Sequence, residues 1–596
     1  MVDGGLLWTS GARKEALELL VELWSHAELR NEISGAILAG PPSVLIDQIH
    51  PDEREKSRDR RIFDRIAVLE RLPHQELTPE LNIEWERLRS TYPNWQVANG
   101  EQALFSVWTS SDWGGARRSY SVDSLRSLDV LDAIEVLEKA GDDEDGVLET
   151  WRELGNSDPD HSLVILEEMA RTYRYPVEVW QKGLWGIRES VKHSNAKQKV
   201  FKLLLSLPEQ LLNDPRVSDA VADIVDAASG ASLNADERNS FWRLFDLALG
   251  KAALDNRNSE APDDDEWVSS ALNCSMGRLA TAFFAALFER DLRVGAGIPN
   301  DLLSRLDLLI SPAAISHRPA RVIAASRLSY LYAVDPKWAR GALIPSFNWE
   351  DETESLAVWQ GFGWQPRIDE KLWQVLKPHF FSLFTPERVV RLGDFGERHA
   401  QLLVVVGIEF GAEELPLEDA RNAVLAMPTR IRSEALSWIA EYLSHRGEEI
   451  DQVSVMGDGS RAPQNVDRLW VTRVWPLIDR IWPLQLAEQV AETSIQFARI
   501  AIGTEDRFAE AVTSLRPFFV PGPEGGFLRE LTGKSHPERF PAATFELIDR
   551  AVDPLAPRYG QRSLGGILTR ILQSRPEVAQ SIRFAIWQPF LAESAP

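Results

Sequence analysis

Apolar residues return every three or four positions along almost the whole chain. Leu17, Leu20, Val21 and Trp24 mark one stripe, Val322, Ala325, Leu328 and Tyr332 a second, and Ala543, Leu547, Ile548 and Ala551 a third. That spacing gathers apolar side chains on one face of a helix with 3.6 residues per turn. Helix starts carry the expected chemistry. Thr78-Pro79-Glu80 and Thr385-Pro386-Glu387 each offer a capping hydroxyl, a proline for the first turn and an acid that suits the positive end of the helix dipole. Segments 415–425 and 575–587 open in the same way, with a proline and acids. Period-two alternation is nearly absent. The run QLLVVVGIEF (401–410) has strand-like composition, but its helical flanks make it a buried helix.

The pattern therefore predicts an all-α protein, with helices of about 10–18 residues joined by short Pro/Gly corners. Continued over the whole length, it predicts stacked helical hairpins forming an irregular α-solenoid. No fixed-period consensus of the tetratricopeptide or ankyrin kind stands out. Three polar stretches read as long solvated loops: GDDEDG (141–146), LDNRNSEAPDDDEW (254–267) and VSVMGDGSRAPQNVDRLW (453–470). They suggest an N-terminal helical region over 1–145, a central helical-repeat region over 146–455 and a C-terminal helical region over 456–596.

Composition sharpens this reading. The 596 residues are 44% hydrophobic and 26% charged, which is ordinary for a folded chain able to bury a large core. Tryptophan is over-used, with 21 against 8 tyrosines, and suits seams between helices where one end of the ring stays wet. The formal net charge of −25 disfavours general nucleic-acid binding. The most basic stretch, REKSRDRR (54–61), reads as a solvated piece of helix. One cysteine, Cys274, excludes an internal disulfide and a cysteine zinc site. It reads as a packed thiol within a helical run, and its solitude fits a reducing, cytoplasmic setting. No leader pattern opens the chain, and no apolar run approaches the length of a membrane span.

Candidate chemistry is thin. Gly533-Lys534-Ser535 imitates the end of a phosphate loop, but position 528 is leucine where the motif needs glycine, so a helix end and a turn are expected. Asp369-Glu370-Lys371 resembles a nuclease triplet but sits where a helix should begin, with Asp369 at its positive end. The ten histidines lack the spacing of a zinc helix, and the acidic loops lack that of a calcium loop, so no metal site, cofactor or catalytic residue is assigned. The strongest feature is WQGFGWQPRIDEKLW (359–373). Gly361 and Gly363 read as a helix stop, permitting either positive φ or close backbone approach. Trp359, Trp364 and Trp373 would cap a tight corner, and Arg367 beside an indole face could grip an anion. These four residues are the candidate partner- or ligand-binding set.

Segments 348–380, 467–483 and 515–553 together resemble the α-helical C-terminal region, domain of unknown function 4020, of bacterial sirtuin-like antiphage defence proteins. STYPNWQ (90–96) and LFSVWTSSDW (104–113) fit the same region less specifically. The resemblance implies a sensing or scaffolding part beside a module that uses NAD. No sirtuin core motif is present in this chain, so NAD chemistry transfers to no residue here. A split subunit, a truncated product and a separately encoded effector all remain open. Two functions follow as expectations. One is a non-catalytic helical-repeat scaffold or sensor gripping a protein partner, either a separate effector enzyme or a phage protein. The other is a nucleotide- or NAD-processing enzyme whose site, around Arg367, His379 and His399, converges only in space. The sequence gives no oligomeric state.

Overall fold

The computed structural model describes residues 8, 20–21, 23–41, 54–70, 72, 77–93, 95, 120–140, 145–192, 196–255, 257, 261–262, 265–445, 454–455, 465–485, 489–522, 527–555 and 561–592. The fold is all-α, as the periodicity predicts. Two compact units divide it, Met1–Arg118 and Ser119–Pro596.

In the first unit, α1 (Arg30–Ala39), α2 (Arg54–Glu70) and α3 (Pro79–Thr91) pack pairwise around Trp24, Ile37, Ile62, Phe63, Ile66, Leu81 and Leu88. Thr78 caps α3 as expected, accepting from the Leu81 amide at 3.5 Å, and its hydroxyl also meets Ser34 at 3.0 Å. The basic stretch opens α2 as helix, as expected, with Lys56 exposed and its arginines half-exposed. Asp59 is buried there, held by Arg87 at 2.8 Å and the Tyr92 hydroxyl at 3.2 Å. Arg58 reaches the Leu38 carbonyl at 3.1 Å.

The second unit contains a continuous succession of packed helices. Its members are α4 (Asp145–Ser157), α5 (Val177–Ile187), α6 (Pro215–Ser229), α7 (Ser275–Phe288), α8 (Arg318–Ala325), α10 (Glu352–Trp364), α12 (Asp394–Glu409), α14 (Thr429–Ser444), α15 (Ala491–Gly503), α16 (Phe527–Thr532) and α17 (Gln561–Ser574). Each packs on the next in that order. Between them run further helices, of which α9 (Leu328–Val334), α11 (Glu370–Phe380) and α13 (Leu417–Ala426) flank the site described below. One apolar core runs from Leu125 to Phe590. Packing crosses both sequence-based divisions: the helix at Val130–Lys139 contacts Pro159–Arg171, and α14 contacts α15.

Polar ties repeat along this succession at similar sequence separations. Arg216 reaches Glu178 and Trp185 reaches Asp223, each 38 residues apart. Arg327 reaches Gln365 at 38, Gln374 reaches Glu414 at 40, His536 reaches Ile502 at 34, and Arg499 reaches Glu530 at 31. These side chains find their partners about one helical hairpin away, while others, such as Arg305 on Asp246 and Arg473 on Ile408, reach over 59 and 65 residues.

Several expectations on particular segments are met. The 401–410 run lies in α12 and is buried through Ile408. Thr385 caps its helix, accepting from the Arg388 amide at 3.2 Å. Gly533 and Lys534 end α16 in a turn, with amides bonding Glu530 and Leu531 carbonyls at 3.1 and 3.2 Å. Other segments differ. Residues 575–587 form two short 3-10 turns, Pro576–Gln580 and Ile582–Ile586, rather than one helix. Cys274 interrupts its helical run: Trp267–Asn273 and α7 meet there at 80°, and the half-buried thiol lies 3.5 Å from the Ala271 carbonyl. Burial raises its pKa, so it is a poor nucleophile. Loop segments 141–144 and 456–464 and the stretch 104–113 lie outside the described residues. Among the described residues, no single helix is long and apolar enough to cross a membrane.

Candidate functional site

The corner at 359–373 departs from its expected form. α10 runs straight through Gly361 and Gly363 and ends at Trp364. Neither glycine has a positive φ. They serve close approach instead. A Cβ on Gly361 would collide with the Val322 carbonyl oxygen of α8, and one on Gly363 would sit 2.9 Å from His399 Nε2 of α12. α10 is thus wedged between the α8 backbone and the His399 side chain of α12. Pro366 then stops the helix, and Arg398 of α12 donates to the terminal carbonyls of Gly363 at 3.2 Å and Trp364 at 2.5 Å. Arg367–Ile368, freed from helix, forms strand β1 and pairs in parallel with β2 (Ser454–Val455), in the register Arg367 to Ser454 and Ile368 to Val455. Asp369 caps α11 as expected, accepting from the Leu372 amide at 2.7 Å.

The four candidate residues separate into two pairs. Trp359 and Trp373 are fully buried, which corrects the expectation that they border a surface notch or keep a wet end. Trp359 Nε1 donates to the Phe347 carbonyl at 3.3 Å, and its ring meets Phe347 edge-on at 4.9 Å. Trp373 meets Phe380 and Phe381 edge-on at 5.3 and 6.0 Å. Burying each indole contributes about 2–3 kcal/mol, a packing role. Only Trp364, half-buried, and Arg367, exposed, reach the surface.

The histidines offered for catalysis do not join them. His399 is 0% exposed, and its Nε2–H donates to the Trp359 carbonyl at 2.9 Å, so Nδ1 carries the lone pair and has no hydrogen-bond partner. Burial drives its pKa down to about 4. It is a neutral core group stacked on Phe362. His536 repeats the arrangement further along, with Nε2 on the Ile502 carbonyl at 2.8 Å and its ring stacked on Phe508. His379 is half-buried on α11, and burial lowers its pKa. Among the described residues no hydrogen bond or ion pair links Arg367 to either His379 or His399.

Trp364 instead meets a residue that sequence reading passed over, Arg327. Its guanidinium lies 6.0 Å from the Trp364 ring centre and 5.8 Å from that of Phe288. Nη1 donates to Gln365 Oε1 at 2.8 Å, whereas Nε is buried with no acceptor. Arg327 has no carboxylate partner among the described residues. Burial and the positive charge of Arg367 both push its pKa below the usual arginine value. The Tyr330 ring stands edge-on to Phe288 at 4.8 Å, and its buried hydroxyl is also unpaired. The Ser329 hydroxyl donates to the Arg367 carbonyl, tying α9 to β1. No sequence signal singled out Arg327, because it lies 40 residues from Arg367.

A concavity of about 640 Å³ opens between α11 and α13, bordered by Gln374, Lys377, Phe381, Phe384, Asp419 and Asn422. Its lysine is 3.6 Å from Glu414, which also accepts from Gln374 at 2.7 Å, so the groove offers no free cation. Among the described residues no group of three His, Cys, Asp or Glu side chains is arranged to hold a metal ion. No family model matches the chain, and no curated protein or solved structure is found similar to it.

Proposed function

We propose that the chain is a non-catalytic scaffold or sensor, an irregular α-solenoid that presents a long surface to a protein partner. The supporting observation is the unbroken succession from α4 to α17, with polar ties about one hairpin apart. Such arrays build extended surfaces from many small units. The candidate histidines favour this reading over the enzyme: His399 is sealed and neutral, and neither histidine is linked to Arg367. Through the resemblance drawn from segments 348–380, 467–483 and 515–553, the partner would be a separately encoded effector or a phage protein in bacterial defence.

The test is co-expression with the products of adjacent genes, followed by size-exclusion chromatography with light scattering. The expected result is stoichiometric co-migration with one of them, and no loss of NAD or nucleotide when the chain is incubated alone. Turnover by the isolated chain, with no complex formed, overturns the reading.

A further inference from the structure

The groove between α11 and α13 is chemically lopsided. Its volume of about 640 Å³ falls within the range of about 300–1,000 Å³ usual for ligand clefts. Phe381, Phe384 and Pro378 give it apolar walls, and Ser382, Asp419 and Asn422 give it a polar rim. These three polar residues are exposed, and among the described residues none of their side chains has a hydrogen-bond or ion-pair partner. The donors on the α11 wall are already used. Lys377 lies 3.6 Å from Glu414, and the Gln374 amide donates to the same carboxylate at 2.7 Å. Pro378 stands inside α11 without an N–H, so the Gln374 carbonyl one turn back loses its helical donor. The groove therefore presents carboxylate, amide, hydroxyl and backbone acceptors, while its one cation is neutralised. Glu418 adjoins Asp419 in the first turn of α13. Both acids suit that helix end, but their two full charges exceed the roughly half positive charge of a helix N-terminus, so the rim stays negative.

We propose that this groove docks an arginine side chain carried on a basic segment of the protein partner. That the occupant is a protein rests on the scaffold reading; its chemistry rests on the groove. A guanidinium brings five donors in one plane, enough to meet several rim acceptors at once, and it can lie on an aromatic face such as that of Phe381. Its methylene stem covers the apolar walls. Lysine offers a point charge and no plane, so it fits less well. The net charge of −25 draws a basic partner towards the chain and repels an acidic one.

The test is isothermal titration of the full chain at low ionic strength with the capped peptide acetyl-Gly-Leu-Arg-Leu-Gly-amide. Separate arms carry lysine, methionine or glutamate at its centre, and a last arm uses methylguanidine alone. One site per chain is expected, saturating below about 10 mM, with the arginine peptide tightest and the glutamate peptide weakest. Asp419→Asn should weaken the arginine peptide by about 10-fold, as expected for a lost charge-assisted contact. Ser382→Arg, which adds a cation at the rim, should weaken it at least as much. Glu418→Gln, beside the groove but not lining it, should change affinity less than about 2-fold. No saturation, or equal losses in Asp419→Asn and Glu418→Gln, overturns the site. The methionine peptide binding as tightly as the arginine one overturns the choice of a cation. Methylguanidine binding as tightly as the peptide overturns protein docking. In the co-expressed complex, Asp419→Asn should weaken association by a similar factor. A complex indifferent to Asp419→Asn overturns this docking site and leaves the scaffold reading standing. Peptide binding as expected, with no complex formed, supports the arginine pocket and counts against the scaffold.

Discussion

Two pairs of arginines lie near the α8–α10 contact, and the chain treats them oppositely. Arg318 and Arg321 project from α8 onto Glu354 of α10, and Arg321 also donates to the Ser311 and Ala314 carbonyls at 2.6 and 3.2 Å. Both are nearly sealed; Glu354 pairs with both, and Asp351 lies 3.9 Å from Arg318. Among the described residues Arg327 and Arg367 have no carboxylate partner. The first pair is what a buried charge needs in order to persist, because a lone ion in the interior is costly. The second lies nearer the surface, Arg367 exposed and Arg327 half-buried, where water can screen the charge.

The comparison is most easily broken at Glu354. Glu354→Gln keeps the shape but leaves buried Arg321 without a carboxylate and Arg318 with only Asp351 at 3.9 Å, and should cost about 3–5 kcal/mol, read as a lower denaturant midpoint. A loss below about 1 kcal/mol would mean the brace is replaceable by water. Next comes the helix approach that sets both pairs. Gly361→Ala should lose about 3 kcal/mol or more, since the Val322 backbone cannot give way. Gly250→Ala, at an exposed helix position with open space around it, should gain about 0.5–1 kcal/mol. Equal effects from the two would refute the close-approach account.

His399 is an intermediate case, neutral and half-satisfied. Its folded pKa of about 4 lies below the usual histidine value. The unfolded chain therefore takes up a proton first as pH falls. The contribution is full above the unfolded pKa, declines through the interval down to about 4, and is lost below it. Between pH 7 and 5 it should amount to about 2 kcal/mol. Comparing His399→Phe with the parent isolates it, because burial lowers the pKa of His317 and His536 in the same direction while raising those of Asp219, Asp223 and Asp226 in the opposing one. A parent and variant with parallel pH profiles would exclude His399 as a source. The smallest effect is expected at Arg327. Arg327→Met should leave stability within about 0.5 kcal/mol or raise it slightly, because it removes a repulsion and an unused donor. A loss of about 2 kcal/mol would show that this arginine is a brace after all.

Helix type was legible because 3.6-residue periodicity is local, and so were the caps at Thr78, Thr385 and Asp369. The role of the corner glycines was only half legible. Gly-Phe-Gly signals backbone freedom, but whether a glycine turns the chain or admits a neighbour depends on a helix 39 residues away, at Val322. Among the candidates, Trp364 and Arg367 reach the surface, whereas Trp359 and Trp373 carry the same residue-level signal and lie in the core. Arg327 gave none, since one arginine among many is distinguished only by the carboxylates it lacks in space.

Many long-range side-chain ties join segments about one hairpin apart, others span about sixty residues, as Arg305 to Asp246 and Arg473 to Ile408 do, and among the described residues those of the 265 stretch reach furthest. The Trp267 amide donates to Gln360 over 93 residues at 3.0 Å, and Arg391 holds Asp265 over 126. During synthesis most of the array can therefore consolidate as it emerges, each turn docking on the one just made. The stretch around 265 must wait for more than a hundred further residues before its last bonds close. Vectorial assembly would pause there, and the Trp267–Cys274 elbow is the piece left longest without its final neighbour.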